Sequence, residues 1–241
     1  MQKEQPGKEK IAYYRLCLSP FIGLVTGVAL HLFHLLCVQF GFGQTCFALA
    51  GTALLVLISM GVYLKDFMLV SEKLAFFIGE KLEKFGRVPV QDAAPGVYGT
   101  IAAIAYSMLY AGGLSVVWKS RQLVLLTLGY IIARTLYSMA FVWFPQAEAQ
   151  GLWQVRLSET KKRMLRIILS VILALCFCTC IMISPIIGVL EALLCMWVWT
   201  YYYYMSKRIN GGNTEEMAGY FLALCELMAV LFIGLFGRVL L

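Results

Sequence analysis

One stretch of the chain, residues 65–99, carries many of the side chains that could do chemistry. It holds three spaced carboxylates followed by two glycines: Asp66, Glu72, Asp92, Gly96 and Gly99. Carboxylate oxygens suit Mg²⁺, which bridges them to phosphate groups. The glycines precede a long apolar run, and the free N–H groups at a helix N-terminus can receive phosphate oxygens. The pattern therefore predicts phosphate chemistry assisted by a divalent cation.

A second acidic group lies near the C-terminal end of the chain. Its sequence is Gly211-Gly212-Asn213-Thr214-Glu215-Glu216, and it also precedes a long apolar run. It could likewise offer carboxylates and backbone N–H groups to a metal-bound phosphate. Alternatively, Asn213 or Thr214 caps the following helix, whose first turn favours acidic residues. Capping and catalysis explain this run about equally well.

Three charged residues lie inside apolar runs: Arg134, Glu191 and Glu226. A charge at the bilayer centre costs about 2.5–3.5 kcal/mol on insertion scales, so each one needs an explanation. Arg134 could pair with one of the glutamates, or it could line a polar cavity and meet an anionic substrate such as phosphate. His31 and His34 are predicted to pack between helices rather than to bind a metal. The eight cysteines are interpreted as small apolar residues in helix packing.

The elements that must position these residues are membrane spans. The chain is 61% hydrophobic and 14% charged, whereas a soluble domain needs more polar surface to cover its core. The net charge of +7 is distributed beside apolar runs, which favours contact with anionic lipid headgroups over nucleic acid. We predict one all-α integral membrane domain over residues 1–241.

Apolar runs of about 20 residues, the length that crosses the hydrocarbon core, predict about seven spans. They cover residues 18–40, 45–64, 97–117, 122–143, 164–183, 186–205 and 218–240. Gly41 and Gly43 break the first pair, and Ser184-Pro185 breaks the fifth and sixth spans. Between the second and third spans, apolar residues at helical spacing predict an interfacial helix over 74–85 that is ended by Gly86.

The orientation follows from the basic residues in the connections. Sixteen of the 20 Lys and Arg residues lie in the N-terminal segment and the even-numbered connections, and three lie on the other side. Cytosolic connections carry this excess. We therefore predict a cytosolic N-terminus, a cytosolic 65–96 connection and a C-terminus on the opposite side of the cell membrane.

Five short segments of the chain occur in the same order as in a known protein family. Ser19-Pro20-Phe21-Ile22-Gly23 begins the first span, Asp92 to Gly99 reads Asp-x-x-x-Gly-x-x-Gly, Ala133-Arg134 lies in a span, and Gly151-Leu152 follows Pro145. The last segment supplies Gly212, Thr214, Glu216, Gly219 and Glu226. Together they resemble the cobalamin synthase family, adenosylcobinamide-GDP ribazoletransferase, along nearly the whole chain. The resemblance implies an all-α membrane enzyme.

The chain departs from this family just after the second span. The family carries Asp-Gly-x-x-Asp-x-x-Asp-Gly there, an acidic set that suggests Mg²⁺ binding. Here Lys65 and Leu69 stand at the first two acidic positions, Asp66 is one step displaced, and Glu72 keeps the third. An ammonium group at a ligand position repels a divalent cation.

The resemblance implies a transferase acting at the cytosolic face on a corrinoid nucleotide and α-ribazole. A ribose hydroxyl of the ribazole attacks the phosphate attached to cobinamide, and GMP leaves. The implied Mg²⁺ ligands are Asp66 and Glu72, joined by Asp92. The implied catalytic residues are Asp92, Arg134 and Glu216, and the implied phosphate-binding residues are Gly96, Gly99, Gly212, Thr214 and Glu226.

Two alternatives stay open on the sequence. An impaired family member would bind a corrinoid or a prenyl-like lipid without turning it over. A small transporter would use Arg134, Glu191 and Glu226 as a polar path across the membrane. The chain shows no paired inverted repeat, which argues against the transporter.

Overall fold

Eight α-helices account for most of the chain in a computed structural model that describes residues 6–81, 96–147 and 157–240. They are α1 (Pro6–Gln39), α2 (Gln44–Ile58), α3 (Val62–Lys81), α4 (Val97–Val116), α5 (Ser120–Trp143), α6 (Glu159–Ile183), α7 (Pro185–Asn210) and α8 (Glu215–Leu240). Within these three ranges, the β structure is limited to an isolated bridge between Gln146 and Asn213. The predicted all-α class is confirmed.

The helices agree with a protein that crosses a membrane several times. In the described ranges, α1 and α4 to α8 are each long and apolar enough to span, and α2 with α3 forms a seventh candidate that is bent by 92°. The span predicted over 45–64 is thus divided at residues 59–61. Helix α3 includes the predicted interfacial helix as far as Lys81, and the remainder of that prediction lies outside the described residues.

The break between α2 and α3 has the hydrogen bonds of a Schellman turn. The N–H of Gly61 donates to the carbonyl oxygen of Val56 at 2.9 Å, and that of Met60 donates to Leu57 at 3.0 Å. Met60 and Gly61 both have left-handed backbone, with φ of 50° and 68°. This turn satisfies the last carbonyls of α2 without continuing the helix, so the chain changes direction inside an apolar run.

Helices α5 and α8 form the core of the bundle, and most of their side chains are buried. Glycines bring the neighbouring helices close to them. A Cβ on Gly23 of α1 would lie 2.6 Å from the carbonyl oxygen of Tyr130 in α5, and one on Gly113 of α4 would lie 2.7 Å from Val230 in α8. Small residues commonly permit such contacts between membrane helices. The two core helices therefore hold α1 and α4 at close packing distance.

Helix α3 runs antiparallel to α8 along one half of the bundle. The ring of Phe67 stacks on Tyr220 at a centroid distance of 5.2 Å, and Lys73 forms an ion pair with Glu216. Helix α2 occupies the other half, where Phe47 packs near the C-terminal end of α4. Together α2 and α3 form a bent pair with the length and composition of one span. The acidic residues of α3 consequently lie in the half of the bundle predicted to be cytosolic.

Candidate active site

The carboxylate of Glu72 lies at the N-terminus of α4. The N–H of Gly99 donates a hydrogen bond to Glu72 Oε2 at 2.6 Å, and Glu72 is only 6% exposed. A Cβ on Gly96 would lie 2.5 Å from Glu72 Oε1, and one on Gly99 would lie 2.6 Å from the carbonyl oxygen of Met68. A carboxylate is stabilised there by the helix dipole. Glu72 therefore occupies the anion position that the sequence predicted for a phosphate.

Asp66 precedes Glu72 by six residues on α3 and faces α8. Its carboxyl group packs against Gly219, where a Cβ would lie 2.7 Å from Asp66 Cγ. Glu215 and Glu216, in the first turn of α8, are near enough to interact with it electrostatically. Within the described residues, no ion pair includes Asp66. Among the described residues, the carboxyl group of Asp66 therefore makes fewer polar contacts with the protein than that of Glu72.

Glu216 forms an ion pair with Lys73 of α3, and the two side chains are 40% and 47% exposed. Such an exposed pair contributes only about 0–1 kcal/mol to stability. The pair nevertheless joins α3 to the first turn of α8, beside Asp66. We refer to Asp66, Glu72 and Glu216, where α3 meets the N-terminal ends of α4 and α8, as the acidic junction.

The turn before α8 is fixed to the segment that follows α5. Thr214 Oγ1 accepts a hydrogen bond from the N–H of Met217 at 3.3 Å, so Thr214 caps α8. The N–H of Asn213 donates to the carbonyl oxygen of Pro145 at 2.8 Å. A Cβ on Gly212 would lie 2.9 Å from that same oxygen, so a larger residue would not fit. The capping alternative for this run is thus confirmed for Thr214.

Arg134 and Glu226 form a buried ion pair between α5 and α8. Arg134 Nε lies 3.2 Å from Glu226 Oε1, and the side chains are 3% and 13% exposed. Arg134 Nη1 also donates to the hydroxyl of Tyr63 at 2.9 Å, and the guanidinium lies 4.7 Å from the centroid of that ring. Of the two alternatives for Arg134, pairing with a glutamate is confirmed. Because Tyr63 is the second residue of α3, the pair also fixes α3 just after the break.

The ion pair and the acidic junction lie at different depths in the bundle. Glu226 follows Glu216 by ten residues, which is about 15 Å along α8. A phosphate held at the N-terminus of α4 would be far from a guanidinium at that depth. Glu216 therefore lies at the end of the bundle and the ion pair lies inside it, whereas Asp66, about one helical turn from Tyr63 on α3, lies between the two depths.

Tyrosine hydroxyls extend the polar surroundings of the ion pair, and the sequence analysis missed them. The hydroxyls of Tyr110 and Tyr130 lie 2.5 Å apart in the core. Tyr106 is near enough to Glu226 to interact with it electrostatically. A tyrosine inside an apolar span is a usable signal, because its hydroxyl seeks a partner when it is buried.

The remaining predicted residues lie elsewhere. Glu191 is 1% exposed and lines an apolar cavity of about 10 Å³; neither of its oxygens has a hydrogen-bond partner within the described ranges. His34 packs 4.6 Å from the ring of Trp118, near the opposite end of the bundle, and its ring centroid is 6.4 Å from that of His31. Asp92 lies outside the described residues. Among those described, no three His, Cys, Asp or Glu side chains are arranged to hold a metal ion.

Comparison with known proteins identifies the family. A family model described as cobalamin-5-phosphate synthase matches residues 4–234. The chain is also 27% identical over 226 residues to the adenosylcobinamide-GDP ribazoletransferase of Lachnoclostridium phytofermentans, covering 92% of this chain and 84% of the relative. No solved structure matches. The chain belongs to the cobalamin-5-phosphate synthase family.

Proposed function

We propose that this membrane protein joins α-ribazole, or its phosphate, to adenosylcobinamide-GDP and releases GMP. Membership of the family gives the chain a role in cobalamin biosynthesis, and the name of the relative supports this particular step. The main structural support is the acidic junction. Two family-like segments that are far apart in sequence, Gly96–Gly99 and Gly212–Glu216, meet the same helix α3 there.

The chemistry requires alignment and charge neutralisation more than covalent catalysis. A ribose hydroxyl oxygen of the ribazole, other than the 5′-oxygen that carries the phosphate in the phosphorylated substrate, forms a bond to the phosphorus attached to cobinamide. The bond from that phosphorus to the oxygen of the departing GMP breaks. GMP leaves with the bonding electron pair, and the hydroxyl proton passes to a base. We assign the role of base to Asp66. Of the three carboxylates of the acidic junction, Glu72 accepts a backbone N–H and Glu216 pairs with Lys73, whereas Asp66 has neither kind of contact among the described residues.

The Mg²⁺ requirement implied by the resemblance stays a prediction. Glu72 accepts the N–H of Gly99, and Glu216 is paired with Lys73, which leaves Asp66 as the carboxylate without such a partner among the described residues. Mg²⁺ usually keeps several waters and binds one or two protein carboxylates together with substrate phosphates. The carboxylates of the acidic junction would therefore hold it together with the substrate, and it would neutralise charge on the phosphates. No step of the reaction is assigned to the metal ion.

The decisive measurement is GMP release from adenosylcobinamide-GDP and α-ribazole by the purified protein in nanodiscs. Asp66→Asn should slow release by about 100-fold or more, the usual contribution of a general base. The matched control is Glu159→Gln, which removes a carboxylate that is 81% exposed and that pairs, among the residues the structure describes, with Lys162 of its own helix. A folded wild-type protein that releases no GMP above background would exclude the transferase. An active Asp66→Asn variant would exclude the assignment of the base.

A second candidate is a family member that binds its corrinoid without turnover. It is favoured by the protein contacts of Glu72, a predicted Mg²⁺ ligand, and of Glu216, a predicted catalytic residue. Corrinoid retained on the purified protein, without GMP release at any concentration of ribazole, would support this candidate over the transferase.

The transporter alternative receives no support from the described residues. Arg134 and Glu226 neutralise each other, while Glu191 lines a small apolar cavity. These three residues therefore do not form a continuous polar path within the part of the chain that the structure describes.

A further inference from the structure

A shallow, open groove on the outer face of α7 is lined by side chains of that helix, three of them aromatic. Trp197, Tyr201, Tyr204 and Arg208 recur at three- and four-residue spacing, so they share one side of the helix. Trp197 and Tyr204 are 63% and 66% exposed, and the volume of the groove is about 320 Å³. The rings of Trp197 and Tyr201 stack at a centroid distance of 6.4 Å. None of these residues takes part in the acidic junction.

The length of the groove matches one leaflet of a bilayer. Eleven residues separate Trp197 from Arg208, which is about 16 Å along the helix axis. A hydrocarbon core of about 30 Å gives about 15 Å to each leaflet. Arg208 is in the last turn of α7, so it lies at the headgroup level when Trp197 lies near the bilayer centre. By the predicted orientation, this is the cytosolic leaflet.

The headgroup end of the groove is positively charged. Lys207 and Arg208 are both exposed, and no ion pair of the described residues includes either of them. The guanidinium of Arg208 lies 5.9 Å from the ring centroid of Phe77 in α3, which holds it beside the gap between α7 and α3. A guanidinium binds a phosphate group through two parallel hydrogen bonds. The groove thus combines a mostly apolar surface with a cation at one end that can bind phosphate.

We propose that this groove binds one anionic phospholipid, with the phosphate on Arg208 and an acyl chain along Trp197, Tyr201 and Tyr204. Charge complementarity favours a lipid over a second copy of the chain. Two copies in one membrane have the same orientation, so a symmetric contact on this face would place two Arg208 side chains at the same depth. Like charges facing each other across an interface are unfavourable.

Binding can be measured by native mass spectrometry of the full-length protein in detergent, with phosphatidylglycerol or phosphatidylcholine added. Arg208→Gln should weaken retention of phosphatidylglycerol about fivefold, equivalent to the loss of about 1 kcal/mol for one basic residue near an anionic surface. Retention of phosphatidylcholine should fall less, because its choline ammonium offsets the charge of the phosphate that Arg208 contacts. Arg163→Gln, which removes an exposed arginine of α6 on the same predicted side, is the matched control and should bind as the wild type does.

A second variant tests the apolar part of the groove. Trp197→Ala should reduce the retention of both lipids, because it removes contact with the acyl chain rather than with the headgroup. Unchanged phosphatidylglycerol retention in Arg208→Gln would overturn the proposal, and so would an equal loss in Arg163→Gln. A dimer that dissociates in Trp197→Ala would assign this face to a second copy and would also overturn it.

Discussion

Removing the carboxylate of Glu226 should destabilise the protein more than removing the whole ion pair with Arg134. The two side chains meet at 3.2 Å between α5 and α8, and Arg134 is only 3% exposed. A Glu226→Leu variant leaves a buried guanidinium that retains only the hydroxyl of Tyr63 as a described partner. An arginine remains charged at all relevant pH values, so Arg134 cannot become neutral when its ion-pair partner is removed.

The burial of both side chains decides which free-energy costs apply. Breaking a buried pair by removing one partner costs about 3–5 kcal/mol. Replacing both partners by apolar residues of similar size, as in Arg134→Met with Glu226→Leu, is often neutral. The double variant still deprives the Tyr63 hydroxyl of its partner, which costs about 1 kcal/mol. We therefore expect a double variant within about 1 kcal/mol of the wild type and a coupling energy of at least about 2 kcal/mol between the two positions.

The free energy of unfolding can be followed by far-UV circular dichroism during titration with SDS in mixed micelles. All three variants of the cycle are compared with Arg121→Met, which removes an exposed arginine from the first turn of α5 and should change stability by less than about 0.5 kcal/mol. If the cost of the double variant equals the sum of the two single costs, the side chains are not coupled and the reasoning is refuted.

Three further outcomes are expected. Gly96→Ala places a Cβ 2.5 Å from Glu72 Oε1 and should cost about 1–3 kcal/mol of unfolding free energy, because the end of Glu72 must leave the N–H of Gly99. Gly112→Ala, inside α4, meets no atom within 4 Å and should not destabilise; equal effects would contradict the packing. Asn213→Ala should cost about 1–3 kcal/mol, because it leaves the buried Tyr202 hydroxyl without its acceptor; stability equal to that of the wild type would show that this contact is dispensable. GMP release should stop in EDTA and return with added Mg²⁺; an unchanged rate in EDTA would contradict the family-based prediction.

Much of the fold followed from composition and from the places where the apolar runs end. Proline at the start of α7 and left-handed Gly41 between α1 and α2 lie where the sequence predicted breaks. The pairing of Arg134 with a glutamate was also foreseeable, since a buried charge requires a partner. The choice of Glu226 over Glu191 was not foreseeable, because it depends on how α5 and α8 are rotated against each other.

The break between α2 and α3 and the role of Glu72 could not be predicted in the same way. Gly61 was a usable signal for this break, since glycine commonly ends a helix in the left-handed conformation, but the residues on both sides of it are apolar and favour one continuous span. Met60, which is also left-handed, gives no local signal of that conformation. Glu72 accepts its hydrogen bond from a residue that is 27 positions away. That contact depends on the approach of α3 to α4, which spacing along one helix does not report.

Two glycines of the bundle have a consequence for how sequences in this family change over evolution. Gly96 leaves the space filled by the carboxyl group of Glu72, and Gly219 leaves the space filled by that of Asp66. A relative that gains a side chain at Gly219 must lose the acid opposite it or move a helix, whereas one that gains a side chain at Gly96 must displace the end of Glu72 from the N–H of Gly99. The two glycine–acid pairs should therefore covary among relatives, even though the members of the second pair are more than 150 residues apart.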